Sequence, residues 1–403
     1  MRQPEKGVTL SQTQVRVVPV ESAGLEEVHV MAAFRSTDRT SETGAVSSPT
    51  AQSEAIYGAV LEALDDPGGL VIVAERAFGD LAAKDEVLEA RTRVLDAGRI
   101  RADNPVTYIE GSPCGWKGLS GVNLTLVRVT GDVRTHPLYD GKRLCGYKVT
   151  GGDAERAFLS GMTGLDEDGP VPDAVAQAWK MFERTEAVLR GCGLDYSKVV
   201  VTRIYLKRLL EWYDEFNAVR NPFHERVGLV KEDGTLQIPA STGIQGKVSE
   251  ECECVMDVVA VSTAEAPEAC PFVRLHNPLQ NEATDYGSSF ARGVSVRVPG
   301  WRYVIVSGTA SIDETGASVH VGDPVGQSER TLENFETILR VGGAKPTDLV
   351  RTVIYCKDRS YASIFRERMR RRGWPDFPYI VVQADVCRDN LLVEIDGAAV
   401  VPS

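Results

Sequence analysis

Apolar residues in the last third of the chain recur with two periods, one suited to strands and one to helices. The run YVIVSG at 303–308 has the length and apolar character of a buried strand. A turn-rich stretch at 313–316 follows, then a short apolar segment at 319–321 that predicts another strand. Leu332, Phe335, Ile338 and Leu339 then fall at i, i+3, i+6 and i+7, which is one face of a helix. Gly326-Gln327 opens that helix, and Gly342-Gly343 stops it as a C-terminal cap would. VRTVIYC at 350–356 predicts a strand, 361–370 a second helix, and 380–383 and 391–400 closing strands. The predicted order is β-β-α-β-α-β-β, with helices on one face of a mixed sheet.

The middle third repeats this order. A strand at 157–161 precedes a helix at 174–189, stopped by Gly191-Cys192-Gly193. VVVTRIYL at 199–206 matches VRTVIYC, a helix follows at 212–219, and strands at 236–244 and 254–261 close the unit. The first third is looser, with strands at 28–33, 70–74, 106–110 and 124–129 and helices at 52–64 and 84–95. The pattern predicts three α+β units, at 20–140, 141–266 and 267–403. The second boundary falls in TAEAPEACP at 263–271, a linker composition. The period is far longer than that of solenoid repeats, so each copy is expected to be a small domain.

Composition narrows the function classes. The chain has 403 residues, 25% charged, with a formal net charge of -12. That balance speaks against a general nucleic-acid or anionic-membrane binder, because phosphate contacts need clustered Lys and Arg. It leaves room for a small anionic metabolite in a local basic pocket. No run of about 18 apolar residues is present, so no membrane span is expected. The first residues, MRQPEKGVTLSQTQ, lack the apolar core of a secretory signal. Eight scattered cysteines without CxxC pairing fit free thiols in a reducing cytoplasm. Five dispersed histidines give no metal-ligand spacing, and no metal is expected.

Several segments resemble known families. GQSERTLENFETILRVGGAKPTDLVRTVIYCKDRSYASIF (326–365) and LLVEIDGAAV (391–400) look like the RidA/YjgF family, whose trimers hold ligand clefts between neighbouring subunits. Three copies in one chain would make a single-chain pseudo-trimer, for which a monomer is the expectation. Imine deaminases of that family carry an arginine just after a proline on the penultimate strand. The matching stretches here, NPVTYIEG (104–111), IPASTGIQG (238–246) and FPYIVVQAD (377–385), all lack it. A narrower resemblance is to the chorismatases, which are built on RidA-like units and cleave the enolpyruvyl ether of chorismate. It rests on YDEFNAVR (213–220), PASTGIQG (239–246), NPLQNEATDYGSSFARG (277–293), SGTASI (307–312), HVGDPVGQSERTLENF (320–335) and DVCRDNLLVEIDG (385–397). The chain departs from that family in the Trp-Asn-Tyr stretch of the middle unit, which reads TRIYLKR (202–208) here, without the Trp or the Asn.

The chorismatase resemblance implies a set of site residues. Glu394, on an alternating strand, is implied as the acid that protonates the enol ether. That step needs a carboxyl still protonated near neutrality, a state partial burial favours. Chorismate carries two carboxylates, so its site wants two fixed cations, and arginine's planar fork suits them. Arg292 and Arg366 are the matching candidates, and Arg203 occupies a strand position suited to the same cleft. Tyr286 and Tyr355 are the aromatic candidates, able to bond a substrate oxygen while the ring packs on the substrate. Gly326-Gln327 reads as a helix start more than an anion site, and the arginines at 366–372 as a solvated helix end. The implied reaction needs no cofactor, since acid catalysis and water suffice. Imine or enamine hydrolysis, ring formation and non-catalytic binding of a carboxylate metabolite are the alternatives on the same scaffold.

Overall fold

Three alternating apolar patterns, each interrupted by two helices, close into three mixed sheets in the computed structural model, which describes residues 13–34, 48–166, 172–231, 233–263 and 270–403. Most of the linker-like stretch, 264–269, and the residues before 13 lie outside the described residues.

The first unit runs β1 (Thr13–Ser22), β2 (Leu25–Phe34), α1 (Pro49–Ala63), β3 (Leu70–Gly79), α2 (Lys84–Ala97), β4 (Thr107–Glu110), β5 (Ser112–Pro113) and β6 (Leu119–Arg128). The second runs β7 (Arg134–Asp140), β8 (Arg143–Gly151), β9 (Ala154–Thr163), α3 (Ala174–Gly191), β10 (Val199–Leu206), α4 (Leu209–Arg226), β11 (Ala240–Gln245) and β12 (Cys254–Thr263). The third runs β13 (Phe272–Leu275), β14 (Gly293–Val298), β15 (Trp301–Ala310), α5 (Pro324–Val341), β16 (Leu349–Cys356), α6 (Tyr361–Arg371), β17 (Ile380–Gln383) and β18 (Val393–Pro402).

The sheets share one strand order. It reads β1-β2-β6-β3-β4 in the first, β8-β9-β12-β10-β11 in the second and β14-β15-β18-β16-β17 in the third. In each the last pair is parallel and the others are antiparallel. The second sheet adds β7 at one edge; the third adds β13 at one edge and β5, borrowed from the first unit, at the other. One side chain carries the repeat further. Gln52, Gln177 and Gln327, each near the start of a unit's first helix, bond both ways to the backbone leading into that unit's last strand. Those helices are also started alike, with Ser48, Asp173 or Asp323 accepting a backbone N–H of the first turn.

Each helix pair packs on one face of its own sheet, burying Phe335, Ile338 and Phe365 in the last unit and Phe182, Phe216 and Phe223 in the middle one. The opposite faces meet one another in a cluster that draws Phe78, Tyr205 and Tyr355 from the three sheets. So each sheet is buried on both faces, and polar groups on its helix-free face are forced to satisfy one another across a seam.

The strands at 199–206 and 380–383 fall where the pattern puts them. The hairpin and edge strands β1, β7, β8, β13 and β14 were not anticipated. The segment at 319–321 forms no strand; His320 and Gly322 adopt left-handed backbone there, and only a bridge between Ile312 and Ser318 remains. The strand expected at 236–244 begins at Ala240, and the helix expected at 212–219 runs from Leu209 through Pro222 to Arg226, with a kink at Trp212.

Candidate active site

The seam between the middle and last units is built from β11, the parallel edge strand of the second sheet. Ala240 bridges to Ala291, the Ser241 amide donates to Ser307 Oγ at 2.9 Å, and the Gln245 amide donates to the Asp385 carbonyl at 3.1 Å. Thr242 Oγ1 donates to Asp396 Oδ2 at 3.0 Å and accepts from the Gly308 amide at 3.1 Å. A β-bulge in β15 around Gly308 breaks its register with β18 at this point.

Glu394 points into that seam. The side chains of Val393 and Ile395 lie in the helix-side core, so alternation turns Glu394 and Asp396 to the helix-free face. Glu394 is only 4% exposed. Among the described residues none donates a hydrogen bond to its carboxyl. Burial pushes its pKa up to about 8; neighbouring Asp396 adds to the rise, and Arg292 opposes it. Glycine at 308 is required by this placement, because a Cβ there would lie 2.2 Å from Glu394 Oε1.

Two guanidinium groups, one from each unit, flank the same aromatic ring. Arg292 sits 5.5 Å from the Phe290 ring centre and 5.3 Å from that of Tyr286. Arg220, on α4, sits 5.4 Å from Phe290 and 5.5 Å from Phe216. Both arginines are 1% exposed. Arg292 Nε donates to the Asn281 carbonyl at 2.8 Å, and Arg220 bonds Asn217. Arg292 Nη2 and Arg220 Nε are buried without a partner, and among the described residues neither arginine forms an ion pair. Two buried cations with open donors suit an anion with two negative groups.

One face of α4 holds the loop that carries Tyr286 and Phe290. Asn217, Asn221 and His224 recur at i, i+4 and i+7; they bond Ser288, Gly287 and Ser289, and Ser289 Oγ lies 2.9 Å from His224 Nδ1. Burial, then Arg220, pushes the His224 pKa down to about 3, so the ring is neutral and structural. Tyr213 on the same helix is coupled to Arg220, Cys387 and Glu394, and burial raises its phenol. Tyr286 lies between the guanidiniums of Arg292 and Arg388, the latter 4.9 Å from its ring centre; burial pushes its phenol up to about 12. Cys387 faces the same group, its thiol pushed up to about 12 by burial and then by Glu394.

The structure thus brings Glu394, Arg292 and Tyr286 together and separates the other three candidates from them. Arg366 lies apart from the seam. It lies on α6, which packs on the helix face of the third sheet, whereas Glu394 emerges from the opposite face. Arg366 lines a groove with Phe34, Trp374 and Phe377 instead. Arg203 and Tyr355 lie where all three sheets meet. Tyr355 stands opposite Glu394 in the ladder, but its phenol faces Asp396, Tyr205 and Arg76. Arg203 lines a cavity with Arg76 and Arg351. The missed residues are Arg220 and Tyr213, both inside YDEFNAVR. Their seven-residue spacing, two helical turns, was the available signal. The arginines at 366–372 include Arg368 and Arg372, which ion-pair with Glu329 and Glu336 of α5. Gln327 serves the backbone before β18, not an anion.

No family model matches the chain. The 3-hydroxybenzoate synthase of Streptomyces hygroscopicus is 36% identical over 105 residues, spanning 23% of this chain and 30% of the synthase. RidA from an Antarctic Psychrobacter covers 32% of this chain and 99% of its own, at 18% identity and a TM-score of 0.27. A chorismatase crystal structure aligns over 94% of this chain and 99% of its own, with a TM-score of 0.58 and 17% identity. Over nearly its whole length, then, the chain has the chorismatase fold.

Proposed function

We propose that the chain is a cofactor-independent enzyme that releases pyruvate from chorismate or a closely related enolpyruvyl ether. The observation that carries this reading is the seam itself: a carboxyl with its pKa near 8 beside two buried guanidiniums that lack counter-ions among the described residues. The whole-length likeness to a chorismatase and the partial likeness to a 3-hydroxybenzoate synthase supply the substrate class.

In this mechanism Arg292 and Arg220 hold the two substrate carboxylates, one from each side of the seam. Near neutral pH the Glu394 carboxyl keeps its proton and transfers it to the methylene carbon of the enol ether. Positive charge develops at the adjacent ether carbon, water adds there, and Glu394, now a carboxylate, recovers a proton from that water. The hemiketal then collapses to pyruvate and a hydroxylated ring acid. General acid catalysis of this kind contributes about 10²–10⁴-fold. Fixing both carboxylates supplies orientation as well as binding.

The test is incubation of the purified chain with chorismate while pyruvate is followed. Pyruvate release that needs Glu394 is the expected result. No release from chorismate, with turnover of 2-imino acids instead, would overturn the reading.

A further inference from the structure

A second cluster of charge lies where the three sheets meet, apart from the Glu394 seam. It surrounds a cavity of about 100 Å³ whose charged wall is Arg76, Arg156, Arg203, Arg351, Glu27 and His29, drawn from all three units. The rest of the wall is mostly valine, isoleucine and alanine.

The charges do not balance. Arg156 Nε lies 3.6 Å from Glu27, which also takes His29 Nε2 at 2.9 Å. Arg76 Nε lies 3.3 Å from Asp257, and Arg351 Nη1 lies 3.1 Å from Asp396. Arg203 has no carboxylate within ion-pair distance among the described residues. Its Nε is buried without a hydrogen-bond partner, as are Arg76 Nη1 and Arg156 Nη1 on the same wall. Four arginines therefore face three carboxylates. A guanidinium does not give up its proton in a protein, and a buried, unpaired charge is strongly disfavoured. The surplus positive charge at Arg203, repelled by Arg351 and Arg76, requires a partner.

Strand register sharpens the point. Arg76 pairs with Asn123 on β6, Arg203 with Asp257 on β12, and Val353 with Asp396 on β18. These are matching positions in the three units. The last unit has valine in place of the arginine and the first has Asn123 in place of the aspartate, so these positions carry two arginines and two aspartates; the surplus comes from Arg156 and Arg351, which are matched by Glu27 alone. Both amide atoms of Asn123 are also buried without partners.

We infer that this cavity binds one small, singly charged anion against Arg203, as a fixed component joining the three units. A halide and a short carboxylate share the required charge and size. The wall away from the arginines is mostly apolar, which disfavours a large polyhydroxylated anion, and a divalent one overshoots the single surplus charge.

The test compares melting of the wild-type chain in sodium bromide, formate, sulfate and gluconate at one ionic strength. Bromide, formate or both are expected to raise the melting temperature over gluconate by roughly 3 °C at a hundredfold excess over the dissociation constant. Sulfate is expected to match gluconate. Whichever of bromide and formate acts identifies the source as halide or carboxylate. Crystals grown in bromide are expected to show an anomalous peak beside Arg203. Arg203→Met is expected to abolish the difference between salts. Equal melting in all four salts with no bromide peak in the cavity, or an undiminished salt difference in the variant, would overturn the inference. Should the variant fail to fold, the bromide position in the wild-type chain decides.

Discussion

The seam between the first and middle units and the seam between the middle and last units share one framework and differ in chemistry. In the first, Thr107 of β4 donates to Asp257 at 2.6 Å, and the Gly161 amide reaches the same carboxylate at 2.9 Å. In the second, Thr242 of β11 donates to Asp396 at 3.0 Å, and the Gly308 amide reaches Thr242 at 3.1 Å. Two residues before the aspartate, however, the first seam has Val255 and the second has Glu394. At the position before the glycine of the hairpin strand, the first has Cys145 and the second Arg292. Where the third and first units meet, the aspartate is Asn123, and Ile380 crowds Gly121. A threonine–aspartate bridge present in both of the first two seams is architecture. An acid and a guanidinium present in one of them are what the proposed function uses.

Replacing the acid should break this comparison most completely. Glu394→Gln is expected to lower pyruvate release by about 10²–10⁴-fold while ligand-induced thermal stabilisation persists; Val255→Gln in the other seam should leave turnover unchanged. An active Glu394→Gln chain would remove that residue from the chemistry.

Next in size are the cations. Arg292→Met and Arg220→Met should each lower kcat/KM by roughly 10–150-fold, the worth of a charged hydrogen bond of about 1.5–3 kcal/mol. Arg366→Met, on the far face of the sheet, should behave as wild type in the same assay.

The glycines separate the seams again. Gly308→Ala would drive a methyl against Glu394 and is expected to cost about tenfold in turnover, since displacement of a catalytic group is felt steeply. Gly161→Ala, at a left-handed φ of 64° with only ordinary contacts nearby, should cost about 1 kcal/mol of stability without touching turnover. Steady-state kinetics beside denaturant melts distinguish the two.

The pH dependence is subtler. The proposed catalysis needs the protonated form of Glu394, so the rate is expected to hold below about pH 8 and fall above it. Stability follows the same sign. The folded pKa is raised, so the folded chain holds its proton more tightly than the unfolded one. That contribution is complete below the ordinary glutamate range near 4.5 and fades as pH rises through about 8. Glu394→Gln should flatten that part of a melting-temperature profile taken between pH 5 and 9. An unchanged profile would show the carboxyl is not the titrating group. Outside the chemistry, Thr107→Val and Thr242→Val should each destabilise by about 1–3 kcal/mol, alike in both seams.

Much of the architecture was legible in the chain because helical and strand periods survive in it three times. The strand at 199–206 and the helix at 361–370 follow directly from apolar spacing. Edge strands such as β7 were not legible, since Arg134–Asp140 is largely exposed and carries little hydrophobic signal. Of the candidate site, the sequence named Glu394, Arg292 and Tyr286, and the fold brings these three together. Arg366 misled because a helix arginine declares its helix but not which face of the sheet that helix covers. Arg220 was hidden in an ordinary amphipathic stretch: its significance comes from Phe290, which is 70 residues away and belongs to another unit.

The sequence alone determined the repeat, the α+β class and the faces on which Glu394 and Asp396 lie, because these depend on local periodicity. Only the tertiary structure decided which charges are compensated. Among the described residues, Asp396 meets Arg351 and Thr242, Glu394 is left beside Arg292 without a hydrogen bond, and Arg203 is left without a carboxylate. A buried charge takes its energy from the groups that fold around it, and here those groups come from different units of the chain.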